Sequence, residues 1–237
     1  MQRTKPTILC TGPVDLSMLH PSDRESVVID MANFTSISTT IPVATQQEIK
    51  KLASEKATVV FTSGNALRSI SGLLAGYKLD WTIFCLGQST YELAKNIFGV
   101  KVIRQTASCA AELAHAIINE KNITRVSFFC GNLRRDDLPR LLRAENIEVK
   151  EITVYQTMLT PRKIEKKYDA ILFFSPGAAE SFFSNNRLPL QTVVFVIGST
   201  TAGTVSRYTN NLVVTAAEPD KLELINKAIK SLVSSLA

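Results

Sequence analysis

Histidine is scarce in this chain, with only His20 and His115, and its four cysteines, Cys10, Cys85, Cys109 and Cys130, form no CxxC pair. No Cys, His or carboxylate cluster has the spacing of a metal site, so no metal is expected. Three of the cysteines fall in or at the end of strand-like runs, where a small buried thiol is the expected state. Long apolar runs are also missing. Nothing approaches the roughly 18 to 20 residues needed to span a bilayer, so no membrane role is expected. The first six residues include basic ones but lead into only a short apolar run before Gly12 and Pro13, so no signal peptide is expected and the expected location is cytoplasmic. Neither a P-loop nor a dinucleotide fingerprint occurs. The net charge of +6 comes from 27 Lys and Arg against 21 Asp and Glu, dispersed and without aromatic interleaving. Such a balance suits solubility or attraction of an anionic ligand better than nucleic acid, which is not expected as a partner.

What the chain does have is a repeat. TVVFTSGNA at 58–66 is followed by TIFCLGQST at 82–90, and DAILFFSPGA at 169–178 by VVFVIGSTT at 193–201. Phe61 matches Phe173, 112 positions on, and Gly87 matches Gly198, 111 positions on. Val102 with Val213, Leu113 with Leu224 and Ile118 with Ile229 continue the register. A repeat this long exceeds a solenoid unit and matches a domain. Within each half a short unalternating apolar run stops at small polar residues and an amphipathic stretch follows, as in strands buried on both faces of a parallel sheet. Strands are expected at 7–10, 26–30, 58–61, 82–86, 100–103, 126–130, 149–155, 170–174, 192–197 and 212–215. Helices are expected at 65–74, 90–98, 109–120, 136–144, 178–184, 200–208 and 222–236, with none discernible over 14–25.

The fold class expected is therefore α/β, in two similar domains, each a parallel sheet flanked by helices, joined by a two-stranded linker. The second repeat has three clear strands, too few for a doubly wound sheet. It is expected to borrow the N-terminal strands, making residues 1–38 plus 158–237 a discontinuous domain and 41–155 an inserted one. The linkers at 36–41 and 155–161 are rich in residues that favour extended chain, each ends at a proline, and together they would permit hinge motion.

Ligands of open α/β sheets bind beyond the carboxyl ends of the strands. Four such ends carry small polar clusters: Thr62, Ser63, Gly64 and Asn65; Gln88, Ser89 and Thr90; Ser175, Pro176, Gly177 and Ala178; Ser199, Thr200 and Thr201. Each opens a helix, where backbone N–H groups lack partners and the dipole is positive, so carboxylates or phosphates fit. The plain alternative is N-capping alone, but matched placement in two pseudo-equivalent halves favours a common ligand. A fifth strand end brings Gly131 and Asn132, with Arg134 and Arg135 close by. Those two arginines are equally readable as an anion site or as part of a solvated helix face, the expected role of Arg140 and Arg143. Tyr155 begins the second linker, where a phenol could donate a proton or a hydrogen bond, or could simply pack in its strand.

At these residues the sequence resembles the uroporphyrinogen-III synthase family. The matching pieces run in the family's order from Phe61, Thr62, Ser63, Gly64 and Asn65 through Gly87 and Thr90, then Gly131 with Arg135, Leu138, Leu142 and Val149. Val154-Tyr155-Gln156-Thr157, Phe174 to Gly177, Ile197 to Ala202 and the closing Ala217-Glu218-Pro219 complete the set. The first forty residues depart from it, having Cys10-Thr11-Gly12-Pro13 where members commonly have Thr-Arg. The resemblance implies cyclisation of hydroxymethylbilane with loss of water and inversion of the last pyrrole ring, through an azafulvene and a spiro intermediate and without a cofactor. It implies a polyanionic tetrapyrrole substrate whose carboxylates are held by the strand-end turns, with Tyr155 assisting departure of hydroxide. A monomer is expected, in transient contact with the preceding pathway enzyme. The competing class is a two-domain small-anion binding protein without catalysis.

Overall fold

The computed structural model describes residues 5–234. Residues up to Ser36 together with those from Met158 onward form one compact unit, and Ile37–Thr157 form the other. In the first unit the chain runs through β1 (Thr7–Cys10), a 3-10 turn at Leu16–Met18, α1 (Pro21–Ser26) and β2 (Val28–Met31), and leaves along β3 (Thr35–Ser38). The second unit contains α2 (Val43–Ala53), β4 (Ala57–Phe61), α3 (Gly64–Ser71), β5 (Trp81–Leu86), α4 (Gln88–Phe98), β6 (Ile103–Ala107), α5 (Ala110–Asn119), β7 (Arg125–Gly131) and α6 (Asp137–Ala144). β8 (Glu148–Leu159) carries the chain back to β9 (Ala170–Phe173), α7 (Pro176–Asn185), β10 (Val193–Val196), α8 (Ser199–Val205), β11 (Val213–Thr215) and α9 (Lys221–Ser234).

Two sheets result, in the orders β2-β1-β9-β10-β11 and β3-β8-β7-β4-β5-β6. The first is parallel throughout, and so is β8-β7-β4-β5-β6 in the second. Those two five-strand sets correspond position by position, with β9-β10-β11 matching β4-β5-β6. The difference is the source of the remaining pair. The second unit fills it with β7 and β8 from its own C-terminal part, the first with β1 and β2 from the chain's N-terminus, so that Ile8 lies beside Ala170 and Cys10 beside Leu172. Helices carry the chain between successive parallel strands, the crossover connection that parallel pairing requires.

Both faces of each sheet are covered, which is why the central strands are apolar without alternation. On one face of the second sheet Phe61 and Phe129 stack at 5.2 Å, flanked by Trp81, whose indole N–H donates to the Leu52 carbonyl of α2 at 3.0 Å. Val60, Phe84 and Phe128 pack on the opposite face with Leu113, Ile117 and Leu142. In the first unit Ile8, Leu172 and Phe195 meet α9 through Leu224 and Ile225, and Phe34, Phe173, Phe182 and Phe183 fill the other face. Each wholly buried phenylalanine contributes roughly 1.5 to 3 kcal/mol of transfer free energy.

Several elements differ from the sequence expectations. The strand expected at 100–103 is a 3-10 turn over Val100–Val102, and the true strand is β6, whose Arg104 and Gln105 are exposed because it lies at the sheet edge. α2 was not expected. Ile49 and Ala53 are its buried residues, too sparse an apolar stripe to stand out among polar neighbours. α1 occupies part of 14–25 as a single turn and a half with no buried residue, so periodicity could not reveal it. Ser26 closes that helix and β2 starts at Val28. The last helix is described to Ser234, so the expected 235 and 236 lie outside the described residues.

Candidate functional site

Because β4, β5, β7 and β8 are parallel, their C-terminal ends open on one edge of the second sheet. β4 delivers Thr62 and Ser63, β5 delivers Gly87, β7 delivers Gly131 and Asn132, and β8 delivers Tyr155. In the first unit β9 leads into Ser175, Pro176, Gly177 and Ala178, and β10 into Gly198, Ser199, Thr200 and Thr201.

The turns come in two kinds. Ser63 caps α3, its Oγ accepting from the Asn65 N–H at 3.2 Å, and Ser175 caps α7, its Oγ accepting from the Ala178 N–H at 3.2 Å. α4 and α8 instead begin after Gly87 and Gly198 with no side-chain cap, leaving the N–H groups of Gln88, Ser89, Ser199 and Thr200 to other partners. Burial repeats with the sequence: Ser89 and Thr200 are exposed, whereas Thr90 and Thr201 are 5% and 2% exposed. The halves differ at the glycines. Gly87 has φ 82°, which favours glycine, while Gly198 at φ 176° is ordinary extended chain.

Tyr155 is aimed by an irregularity of the β7–β8 ladder. Cys130 pairs with Thr153 but Gly131 pairs with Tyr155, so one residue is skipped and the phenol, not Val154, stands opposite Gly131. A Cβ at Gly131 would lie 2.5 Å from Tyr155 Cε2 and 2.9 Å from Oη. The phenol packs directly over bare backbone. Asn132 closes the same strand ends: its carboxamide accepts from the Thr157 N–H at 2.8 Å and donates to the Thr157 carbonyl at 3.2 Å. The side chain of Asn132 is thereby committed to bracing β8 just beyond Tyr155. The phenol also borders a groove of about 300 Å³ whose wall includes Thr40, Thr45, Glu151 and Gln156.

Glu151, earlier on β8 than the phenol, is gripped from two sides. Arg134 Nε and Arg143 both donate to its carboxylate, the latter at 2.6 Å, and Arg134 also reaches Asp136 at 3.2 Å. Burial alone would raise the Glu151 pKa, but the hydrogen bonds from Arg143 and Arg134 outweigh it and hold the carboxyl below its ordinary value. Arg134 and Arg143 are therefore structural, tying the segment after β7 to β8. For Arg143 this corrects the expectation of a merely solvated face. Arg135 is exposed, and among the described residues no ion pair includes it. Arg68, for which no role was expected, projects back over the start of α3, its Nη1 3.0 Å from where a Gly64 Cβ would stand. Arg68 lies in the last turn of α3, where a cation suits the helix dipole, so the sequence carried no signal of its reach back to the first turn.

A larger hollow of about 460 Å³ lies at the opposite edge of the second sheet, among the first residues of β4, β5 and β7. Lys51, Lys56, Arg125 and Lys150 stand there with Glu48 and Glu55, and Lys150 is ion-paired to Glu48 and Arg125 to Glu148. With its charges so mixed and paired, the hollow favours no ligand of one sign, and we place no site in it. Among the described residues no three His, Cys, Asp or Glu are grouped to hold a metal ion, and no helix is long and apolar enough to cross a membrane.

No curated protein sequence matches significantly. Among solved structures, uroporphyrinogen-III synthetase from Helicobacter pylori is similar with TM-score 0.67 and 15% identity, over 98% of this chain and 100% of that one. A mutant uroporphyrinogen III synthase from Thermus thermophilus gives TM-score 0.66 and 13% identity over 97% and 99%, and the wild-type Thermus protein 0.54 and 12% over 98% and 100%. At such identities these likenesses establish the shared fold. The family described as Uroporphyrinogen-III synthase HemD matches residues 30–226, which takes in both sets of strand ends, Gly131 and Tyr155. The chain belongs to the uroporphyrinogen-III synthase family of tetrapyrrole biosynthesis.

Proposed function

We propose that this chain closes hydroxymethylbilane to uroporphyrinogen III, with loss of water and inversion of the last pyrrole ring, using its own residues alone. The observation that carries the mechanism is the seating of the Tyr155 ring over Gly131, which fixes one phenol at the strand edge that also presents the uncapped N-terminus of α4. The C–O bond of the terminal hydroxymethyl group breaks as Tyr155 Oη gives its proton, so that hydroxide departs as water. The azafulvene left behind is attacked by the last ring at its substituted α-carbon, giving the spiro intermediate. The bond from that carbon to its original bridge then breaks and re-forms at the ring's free α-carbon, which inverts the ring, and the proton lost from that free α-carbon returns to the Tyr155 phenolate. A phenol is a weak acid, which suits donation to a departing hydroxide.

The substrate's carboxylates are the second requirement. In the second unit the N–H groups at Gln88 and Ser89 supply donors without counter-charge, with the strand-end residues Thr62, Gly64, Asn65, Thr90 and Gly131 on the same sheet edge. In the first unit the N–H groups at Ser199 and Thr200 do the same, with Pro176, Gly177, Ala178 and Thr201 on its sheet edge. Holding the linear tetrapyrrole folded brings its two ends together in the reacting geometry and orders which carbon is attacked. Free thiols at Cys10, Cys85, Cys109 and Cys130 suit a reducing cytoplasm, and we take the working form to be a monomer that meets the preceding pathway enzyme transiently. Incubation with enzymatically made hydroxymethylbilane, followed by separation of the uroporphyrin isomers, tests the reading, because unaided closure gives isomer I. The non-catalytic alternative would leave isomer I unchanged as the product.

A further inference from the structure

A cation that the family pattern does not explain stands at the strand-end edge of the first unit. Lys221 opens α9, but its side chain leaves that helix and turns back to the ends of β1 and β9. Its Nζ donates to the Pro13 carbonyl at 2.9 Å and lies 4.9 Å from the centre of the Phe174 ring. Phe174 immediately precedes Ser175, the cap of α7, so the ammonium sits one residue from a turn already assigned to ligand binding.

An ammonium has three N–H donors, and among the described residues only the Pro13 carbonyl takes one. Among the described residues no ion pair includes Lys221. It is half-buried, and burial lowers its pKa, opposed only by the neighbouring Cys10 thiol. Its position in the first turn of α9 also sets it against the helix dipole. A half-buried cation with no counter-charge among the described residues, placed against a dipole, is a local cost that its one hydrogen bond and the Phe174 ring offset only in part. Those unfilled donors fit a carboxylate.

We propose that Lys221 is a substrate-recognition residue whose ammonium receives one carboxylate arm of the tetrapyrrole beside the Phe174–Ser175 turn, a role that rests on the synthase reading above. The amine forms a charge-assisted hydrogen bond with the carboxylate, and the Phe174 ring and Pro13 carbonyl hold it in place. It takes no part in the bond changes.

Steady-state kinetics with enzymatically made hydroxymethylbilane test it. Lys221→Met and Lys221→Gln are expected to raise KM about tenfold with kcat within about twofold of wild type, and Lys221→Arg to stay near wild type. Calorimetric titration with uroporphyrinogen III under anaerobic conditions should show the same weakening, and a shallower salt dependence for the Met variant. Folded Met and Gln variants with unchanged KM and unchanged uroporphyrinogen affinity would overturn the role. So would a lowered melting temperature with KM unaltered, which would make Lys221 a structural clamp. A wild-type protein that makes no isomer III would overturn the synthase reading itself, whereas an active wild type with indifferent variants removes only the assignment of Lys221.

Discussion

Gly131 and Tyr155 face each other across the β7–β8 ladder so closely that a single β-carbon on Gly131 would lie 2.9 Å from the Tyr155 hydroxyl. The glycine is needed for space, not for its backbone angles, since Gly131 is not among the residues of positive φ. The phenol and the strand end that carries it therefore form one unit, braced by Asn132 to Thr157 and by Glu151 to the two arginines.

Gly131→Ala should cost about 1 to 3 kcal/mol of stability by overpacking and displace the phenol. Isomer III formation should fall at least as far as in Tyr155→Phe. Denaturant unfolding of Gly131→Ala, Tyr155→Ala and the double variant should show strong non-additivity, the pair being less destabilised than the two singles together. Additive losses would mean that the ring does not rest on Gly131.

The two kinds of turn should respond differently. Ser63→Ala and Ser175→Ala each remove a helix cap and should lower stability by about 0.5 to 2 kcal/mol with little effect on KM. Ser89→Pro and Thr200→Pro leave the hydroxyl caps intact and delete an uncapped N–H in a helix's first turn, where proline is tolerated. These should raise KM several-fold while the melting temperature changes little. The reverse pattern, with KM sensitive to the serine hydroxyls and not to the N–H deletions, would transfer binding from backbone to side chains.

Stability should fall on acidification through Glu151. Its folded-state pKa lies below the ordinary value of 4.5, so the unfolded chain binds the proton more readily. The contribution is then fully present above about pH 4.5 and is lost as pH falls through the lower folded value. Glu151→Gln should remove on the order of 1 kcal/mol near neutrality and flatten this part of the acid limb, read by thermal melts between neutral and low pH. An unchanged slope would show that the arginine grip on Glu151 does not persist in solution.

Much of the arrangement could be read from the chain because buried parallel strands and capped helix starts leave strong local signals. Phe61 and Phe173, Ser63 and Ser175, Gly87 and Gly198 occupy matching positions in the two sheets, as their spacing implied. What escaped was of another kind. α2 touches the core through few residues, α1 through none, and β6 is an edge strand whose polar residues hide its conformation. The seating of Tyr155 on Gly131 depends on a ladder irregularity, and the capture of Arg134 and Arg143 by Glu151 on how the segment after β7 and α6 fold back on β8. No spacing along the chain encodes either.

The isomer ratio formed from enzymatically made hydroxymethylbilane by wild type and by Tyr155→Phe tests the central claim most directly. The account predicts mainly isomer III from wild type, and from Tyr155→Phe a rate lower by about tenfold to a hundredfold with isomer III still the principal enzymatic product, because binding and folding of the substrate survive while assistance to the departing hydroxyl is lost. Isomer I alone from the wild-type protein, or a Tyr155→Phe variant indistinguishable from wild type in both rate and ratio, would contradict it.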